Sequence, residues 1–406
     1  MTEERIASFP LGAAATIAEL EQDPHSLLAR LREREPVSWL PALDGWLVTR
    51  RDLALEVMRD PDAFTVDDPR FSTAQVVGAS MLSVDGAEHA RHRDPFARPF
   101  RLDAVRARFA GFVSAEVDRL LDAVGPTGEA ELRRSLAGPL AVAAMVRALG
   151  LDDEDTGAVL GWYDSIVAGV TAITAGLPAE PAATAAFDRL RTSVEAAFGH
   201  DPDTSLIAAA AADGDGLARG EVVSNAAVLL FGGIETTEGM IANAILHVLT
   251  HPEQRELIER DPALTPAAVE ESLRLEPAAA VIDRYATRNV ELGGVGIGER
   301  ELVTISLAGA NRDPAVFASP DRFDVLRDNT RLHVTFAQGP HVCIGMHLAR
   351  LEAQVALERL FVRLPGVHLD PSRPSAPRGL VFRKPPTLWV RWESESASAG
   401  RGTLKA

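Results

Sequence analysis

Cysteine is all but missing from this chain: its 406 residues include one, Cys343. A single thiol excludes an internal disulfide and suits a reducing compartment. It also argues against the usual zinc sites, because neither a second cysteine nor a spaced histidine pair accompanies it. Long apolar runs are missing too. No stretch reaches the ~20 apolar residues that a membrane-spanning helix needs. Met1 to Leu20 lacks the apolar segment of a signal peptide, so a cytoplasmic protein outside the membrane is expected. Bases are in deficit, 41 against 58 acids, for a net charge of −17. That balance disfavours nucleic acid as the main partner. No internal repeat is visible. The 46% hydrophobic share is that of ordinary globular material, and a 406-residue chain could hold one large domain or two.

What is there centres on the cysteine. Residues 336–345 read Phe336-Ala337-Gln338-Gly339-Pro340-His341-Val342-Cys343-Ile344-Gly345. A helical stretch follows, Met346 to Phe361, with an apolar stripe at Leu348, Leu351, Val355 and Leu360. A helix beginning just after the cysteine directs free N–H groups and the positive end of its dipole at the sulfur. That favours a thiolate, the form that binds metal. Gly339 and Gly345 bracket the ligand where backbone must approach a flat cofactor closely or turn with positive φ. Phe336 can cover the sulfur and exclude water. The residues alone leave alternatives open. Free cysteine is often only a buried apolar side chain. A nucleophile with His341 as base is a poorer reading, since such partners are usually far apart in sequence.

The decapeptide resembles the haem-binding loop of the cytochrome P450 family, Phe-x-x-Gly-x-His-x-Cys-x-Gly, at Phe336, Gly339, His341, Cys343 and Gly345. The resemblance implies haem b with Cys343 as its axial thiolate, which pushes electron density toward O–O cleavage. His341 would then sit near a haem propionate. Upstream, His89 and Arg93 share one helix face at i, i+4, and by resemblance both bind propionates, a task suited to the planar guanidinium. Without the resemblance, this stretch reads as a solvated basic face. Arg284, at the start of a strand, would be a further propionate ligand.

The longest helical run is Glu221 to Thr250. Its middle reads Gly232-Gly233-Ile234-Glu235-Thr236-Thr237. A glycine pair inside a helix costs about 1 kcal/mol per residue and needs a reason, such as close approach of a ligand. One account is a kinked core helix whose threonine bonds back to its own carbonyl. The family resemblance implies more: Thr236 would hydrogen-bond the bound oxygen species and Glu235 would relay protons to it. Glu271 and Arg274 match the family's Glu-x-x-Arg, with Arg322 expected as the third member of a buried structural network.

Other segments follow from local pattern. Residues 24–35 read as a helix, with strands at Val37–Leu40 and Trp46–Thr49 and a helix at Asp52–Arg59. Residues 62–86 have little period and read as a long loop; by resemblance it lines the substrate pocket, with Phe71, Met81, Leu82 and Val84 as candidates. Helices are expected at 132–149, 152–174 and 182–198. The last two would form the family's lid, with the 182–198 helix shorter than the family pattern. A helix at 266–275 and strands near 284–292, 295–298 and 301–306 come next. Residues 309–335 read as irregular. Terminal strands are expected at Leu380–Arg383 and Leu388–Val390. Phe231, Gly232, Ala279, Val281, Ile282, Val381 and Phe382 complete the pocket candidates.

The implied fold is mostly α with a minor β part, a single P450 domain over 1–392. Residues 393–406 are polar and expected to be disordered. Six arginines, at 91, 93, 98, 101, 106 and 108, reverse the local charge of an acidic chain. They suggest a docking patch for an acidic ferredoxin, though an ordinary solvated helix explains them nearly as well. The function implied is that of a monomeric bacterial monooxygenase that inserts one atom of O2 into a medium-sized apolar organic substrate, by hydroxylation or epoxidation. The alternatives are a peroxide-driven enzyme, desaturation or coupling by the same oxidant, and a haem sensor or carrier. Intact Glu235 and Thr236 argue against the peroxide route, and no output domain is visible for a sensor.

Overall fold

A computed structural model describes residues 2–151, 154–174, 181–212 and 216–393. The polar tail from residue 394 lies outside the described residues. The chain is mostly helical, with ten short strands among the described residues: β1 Val37–Leu40, β2 Gly45–Val48, β3 Phe64–Thr65, β4 Glu129–Glu131, β5 Val281–Ala286, β6 Val290–Leu292, β7 Val295–Ile297, β8 Leu302–Ser306, β9 His368–Leu369 and β10 Trp389–Arg391. The largest sheet has the order β1-β2-β8-β5-β3. It is antiparallel except where β2 meets β8, with Trp46 opposite Val303. The chain therefore returns to one sheet more than 200 residues after β3, and that return ties the N-terminal part to the strand bearing Arg284.

Helices at His25–Arg34, Arg51–Arg59 and Thr265–Leu275 agree with the sequence reading to within a residue or two. The long helix runs Arg219–Thr250 and the cysteine helix Met346–Arg363. These two pack on each other, and both contribute to the main core. That core also takes Phe96, Phe109, Leu136 and Leu149, none more than 1% exposed. A second core lies under the large sheet, around Trp46, Val48 and Val303. The 132–149 segment opens with a π-helical turn at Arg133–Ala137 before its α-helix at Gly138–Leu149.

Two expectations are corrected. Residues 62–86 are not one loop: they carry β3 and a helix at Ser72–Val77. The helix is six residues long, has no side-chain cap and stops at Gly78 with φ 85°. So short an element leaves no periodic trace. The terminal strand expected at Leu380–Arg383 reduces to a single bridge, Ala279 to Phe382. In the lid, the first helix spans Thr156–Thr174 and the second Pro181–Ala196. A further short helix, Leu206–Ala212, follows in a stretch the sequence left unassigned.

Candidate haem-thiolate site

The cysteine loop is a tight, internally bonded turn. Cys343 N–H donates to the Phe336 carbonyl at 2.8 Å, and Val342 N–H to that of Gly339 at 3.1 Å. Ala337 and Gly339 both take positive φ, 58° and 75°. For Gly339 the reason is double: the backbone is left-handed and a Cβ would collide with the Met58 carbonyl. Gly345 behaves otherwise. Its φ is −85°, and a Cβ there would meet nothing within 4 Å. Of the two reasons proposed for that glycine, open space for a close approach is the one the backbone supports.

The Cys343 side chain is exposed by surface area, yet protein crowds it closely enough that burial pushes its thiol pKa up. Both hold if the sulfur borders an internal space rather than bulk water. Backbone N–H groups of Gly345 and Met346, with the charges of Arg93 and Arg350, oppose the burial effect. They are the groups that would favour a thiolate once a cation bound.

Polar groups gather beside the loop. The His89 and His341 rings lie 4.3 Å apart. Arg93 donates to the Val342 carbonyl at 2.7 Å. His341 Nε2 donates to Asp85 Oδ1 at 2.7 Å, a partner that sequence did not suggest. Burial would raise the Asp85 pKa, but hydrogen bonds from His341, Thr65 and the Val66 N–H outweigh it and hold the group at about 2. Arg284 is buried and donates to its neighbour's carbonyl; Asp85 is close enough to stabilise its charge. Burial, then the charges of His341 and Arg93, bring His89 down to about 4. His89 Nε2 is buried with no hydrogen-bond partner. A buried polar atom without a partner costs free energy, so this nitrogen beside two cations points to an anionic group outside the chain. The set fits a haem: one thiol for the iron, and His89, Arg93, Arg284 and His341 for its carboxylates.

The long helix carries the second candidate stretch. It is buried over most of its length, but Phe231, Gly232, Gly233 and Thr236 are part-exposed in its middle. The glycine pair has two explanations. At Gly233 a Cβ would run into Met145, whereas at Gly232 it would meet nothing within 4 Å. Thr236 Oγ1 donates to the Gly232 carbonyl at 2.6 Å, the local back-bond that sequence allowed. Glu235 is buried, and its Oε1 lies 2.7 Å from Lys384 Nζ. Lys384 also reaches Glu238 at 2.5 Å, and Arg133 meets the same Glu238 at 2.9 Å. Sequence reading missed Lys384. A signal was there: the chain has two lysines, Lys384 and Lys405, so one placed inside the fold is a rare choice.

The pocket candidates separate. The Phe231 and Phe382 rings stand edge to face at 5.5 Å, and Tyr163 lies 6.5 Å from Phe231. Met81 is a core residue at 5% exposure and Val84 is buried at 7%; Leu82 packs against the same core as Met81. Phe71 sits at the start of the unexpected short helix. Ile282 packs on the sheet core, and Val281 borders a crevice with Leu20, Leu28 and Leu380.

Arg322 is a correction. Glu271 accepts from Arg274 at 2.7 and 2.8 Å, and the second arginine on it is Arg327, at 3.0 Å. Arg322 is exposed and offers only its carbonyl, to Arg274 at 3.1 Å. The free basic surface is also smaller than expected. Arg91 pairs with Glu88 and Glu221, Arg93 turns to the cysteine loop, and Arg108 donates to the Thr204 carbonyl. Arg98, Arg101 and Arg106 remain exposed.

Among the described residues, no helix is long and apolar enough to cross a membrane.

A lone thiol on a bonded loop, with arginine charges acting on it and an unpartnered buried histidine nitrogen near by, is what a haem-thiolate protein needs. The family described as Cytochrome P450 matches residues 201–389. Cytochrome P450 107B1 of Saccharopolyspora erythraea is 34% identical over 375 residues, covering 86% of this chain and 90% of its own. The cytochrome P450 monooxygenase PikC of Streptomyces venezuelae is 34% identical and covers 94% of both. Among solved structures, CalO2 superposes with a TM-score of 0.85 at 30% identity, over 93% of this chain and 98% of that one. P450BioI, solved with a fatty-acyl carrier protein, gives 0.84 at 29%, over 93% and 100%. The chain belongs to the cytochrome P450 family and is a P450 monooxygenase. Its cofactor is haem with a cysteine thiolate on the iron, and Cys343 is the one cysteine able to supply it.

Proposed function

We propose that this monooxygenase inserts one atom of O2 into a medium-sized apolar organic molecule, with electrons from a ferredoxin, and that Thr236 and Glu235 manage the protons. When bound, the haem supplies the oxygen activation; the chain's residues hold it and control what reaches it. Cys343 would bind the iron, and Phe336 would keep water from the sulfur. His89, Arg93, Arg284 and His341 would hold the haem carboxylates. Phe231 and Phe382 offer apolar surface to the substrate. Two hydroxylases among the relatives carry macrolide-type names, 6-deoxyerythronolide B hydroxylase and 20-oxo-5-O-mycaminosyltylactone 23-monooxygenase; a secondary metabolite of that size class is consistent with such a pocket.

The observation that carries the reading is the pairing of an accessible Thr236 hydroxyl with a buried Glu235 in the middle of the long helix. Thr236 Oγ1 spends its proton on the Gly232 carbonyl, so its lone pairs are free to accept a hydrogen bond. Glu235 is held by Lys384 and can pass a proton only when that ion pair loosens. An enzyme run by peroxide needs no such proton relay. Thr236→Ala tests the reading. Haem content is expected to stay at the wild-type level while reducing equivalents are diverted from product to hydrogen peroxide. Coupling equal to wild type would remove Thr236 from the role. Exposed Arg98, Arg101 and Arg106 support a docking face for an acidic ferredoxin. Arg106 lies close enough to His347, at the start of the cysteine helix, for its charge to act on that ring.

A further inference from the structure

Glu270 stands next to the Glu271 of the structural network but does a different job. It is 7% exposed and carries two partners. Arg350, on the cysteine helix, forks onto it with Nε at 2.5 Å and a terminal nitrogen at 3.0 Å. His333 Nε2 meets Oε2, the oxygen that also takes the Arg350 terminal nitrogen, at 3.1 Å. Both partners then turn to one ring. The Arg350 guanidinium stacks over Phe336 at 4.4 Å from the ring centre, and the His333 ring lies 6.0 Å from it. Phe336 is the residue whose carbonyl takes the Cys343 N–H. One carboxylate thus holds the two groups that flank the aromatic ring of the cysteine loop.

We propose that Glu270 is a positioning residue for the sulfur side of the haem: through Arg350 and His333 it clamps Phe336 beside Cys343, and the Glu270–Arg350 pair sets the charge balance that tunes the reduction potential. This rests on Cys343 being the iron ligand. A buried bidentate pair is geometrically specific, and a guanidinium over an aromatic face adds cation–π attraction. The Arg350 charge also reaches the sulfur, since it favours the ionised form of Cys343. Reduction adds one electron close to that sulfur. A cation there stabilises the reduced form, and an anion opposes it.

The two partners therefore act with opposite sign, and that separates tuning from mere support. In the haem-loaded protein, Arg350→Gln is expected to move the midpoint potential negative and Glu270→Gln to move it positive. Each shift should be about three- to tenfold in the electron-transfer equilibrium, or roughly 30 to 59 mV for a one-electron couple. Arg350→Lys, which keeps the charge, should stay within threefold of wild type. Shifts in the same direction, or potentials unchanged in both Gln variants, would overturn the proposal. If Arg350→Gln does not take up haem, the sign of the Glu270→Gln shift and the value for Arg350→Lys decide it. The reduced carbon monoxide complex is recorded for each protein. A thiolate-type red-shifted Soret band without the opposed shifts defeats this proposal alone; absence of that band in the wild type defeats the haem-thiolate ligation itself.

Discussion

Arg327 and Arg322 are five residues apart, and only one of them should matter to the fold. Glu271 is fully buried and accepts from Arg274, from Arg327 and from the Asp324 N–H at 3.1 Å. Arg274 extends the link to the carbonyls of Asn311 and Pro320, and Arg327 to those of Ala318 and Ser319. Asn311 holds the Val334 N–H and the Thr335 hydroxyl, two residues that lead directly into Phe336. The network therefore pins the segment that delivers the cysteine loop. Arg327→Met keeps the bulk but strips one cation from a buried carboxylate. Glu271 keeps Arg274 and the Asp324 N–H, so the loss is that of one hydrogen bond to a charged group, about 1.5–3 kcal/mol. Arg322→Met touches an exposed side chain that lends only its carbonyl, and such changes stay within roughly 0.5 kcal/mol. Urea unfolding of the purified haem protein, with haem absorbance and far-UV signal followed together, measures both. Arg327→Met should unfold at clearly lower urea and lose haem earlier. Equal midpoints for the two variants, or a larger loss for Arg322→Met, would refute the assignment of Arg327.

Other outcomes follow from the same geometry. Lys384→Met frees Glu235 and leaves Glu238 to Arg133 alone; turnover should fall while haem uptake is retained, and a pH–rate profile superimposable on wild type would remove Lys384 from proton control. Neutralising Arg101 and Arg106 with Gln should raise KM for ferredoxin most at low salt, where exposed charges act furthest, and an unchanged KM there would end the docking idea. His247 gives a pH signature. Burial is the main cause that brings its pKa from 6.5 to about 3. The unfolded chain takes up the proton near 6.5 and the fold resists it, so stability falls as pH drops through 6.5 toward 3, by at most about 1.4 kcal/mol per pH unit for one site. Replacing His247 with Gln should flatten, but not abolish, the acid-side loss between pH 6.5 and 5, as read by thermal unfolding; an identical slope would show that His247 is protonated in the fold.

The cysteine loop and the Gly232–Thr236 stretch were legible because their chemistry is local. A thiol, two glycines and a helix start within ten residues stand out as unusual, and so do a glycine pair, an acid and an alcohol inside an apolar helix, though the roles given to them came from the family resemblance. Long helices were legible from period alone, since many residues repeat one signal. The six-residue helix at Ser72–Val77 was not, because it is shorter than the window in which a period shows.

Partners across the fold were decided by tertiary structure. Arg327 rather than Arg322 reaches Glu271, on the oxygen that also takes the N–H of Asp324 between them. Lys384 meets Glu235 from 149 positions away, and Asp85 meets His341 from 256. Arg91, Arg93 and Arg108 are each taken up by partners, Glu88 and Glu221, the Val342 carbonyl and the Thr204 carbonyl, although their spacing reads as a free basic surface. By itself, the order of residues determined which groups could do chemistry and which short stretches would be helix, because those depend on side-chain type and nearest neighbours. Which charge answers which, and which face of a glycine is open, depend on distances between remote segments, and only the packed chain sets those.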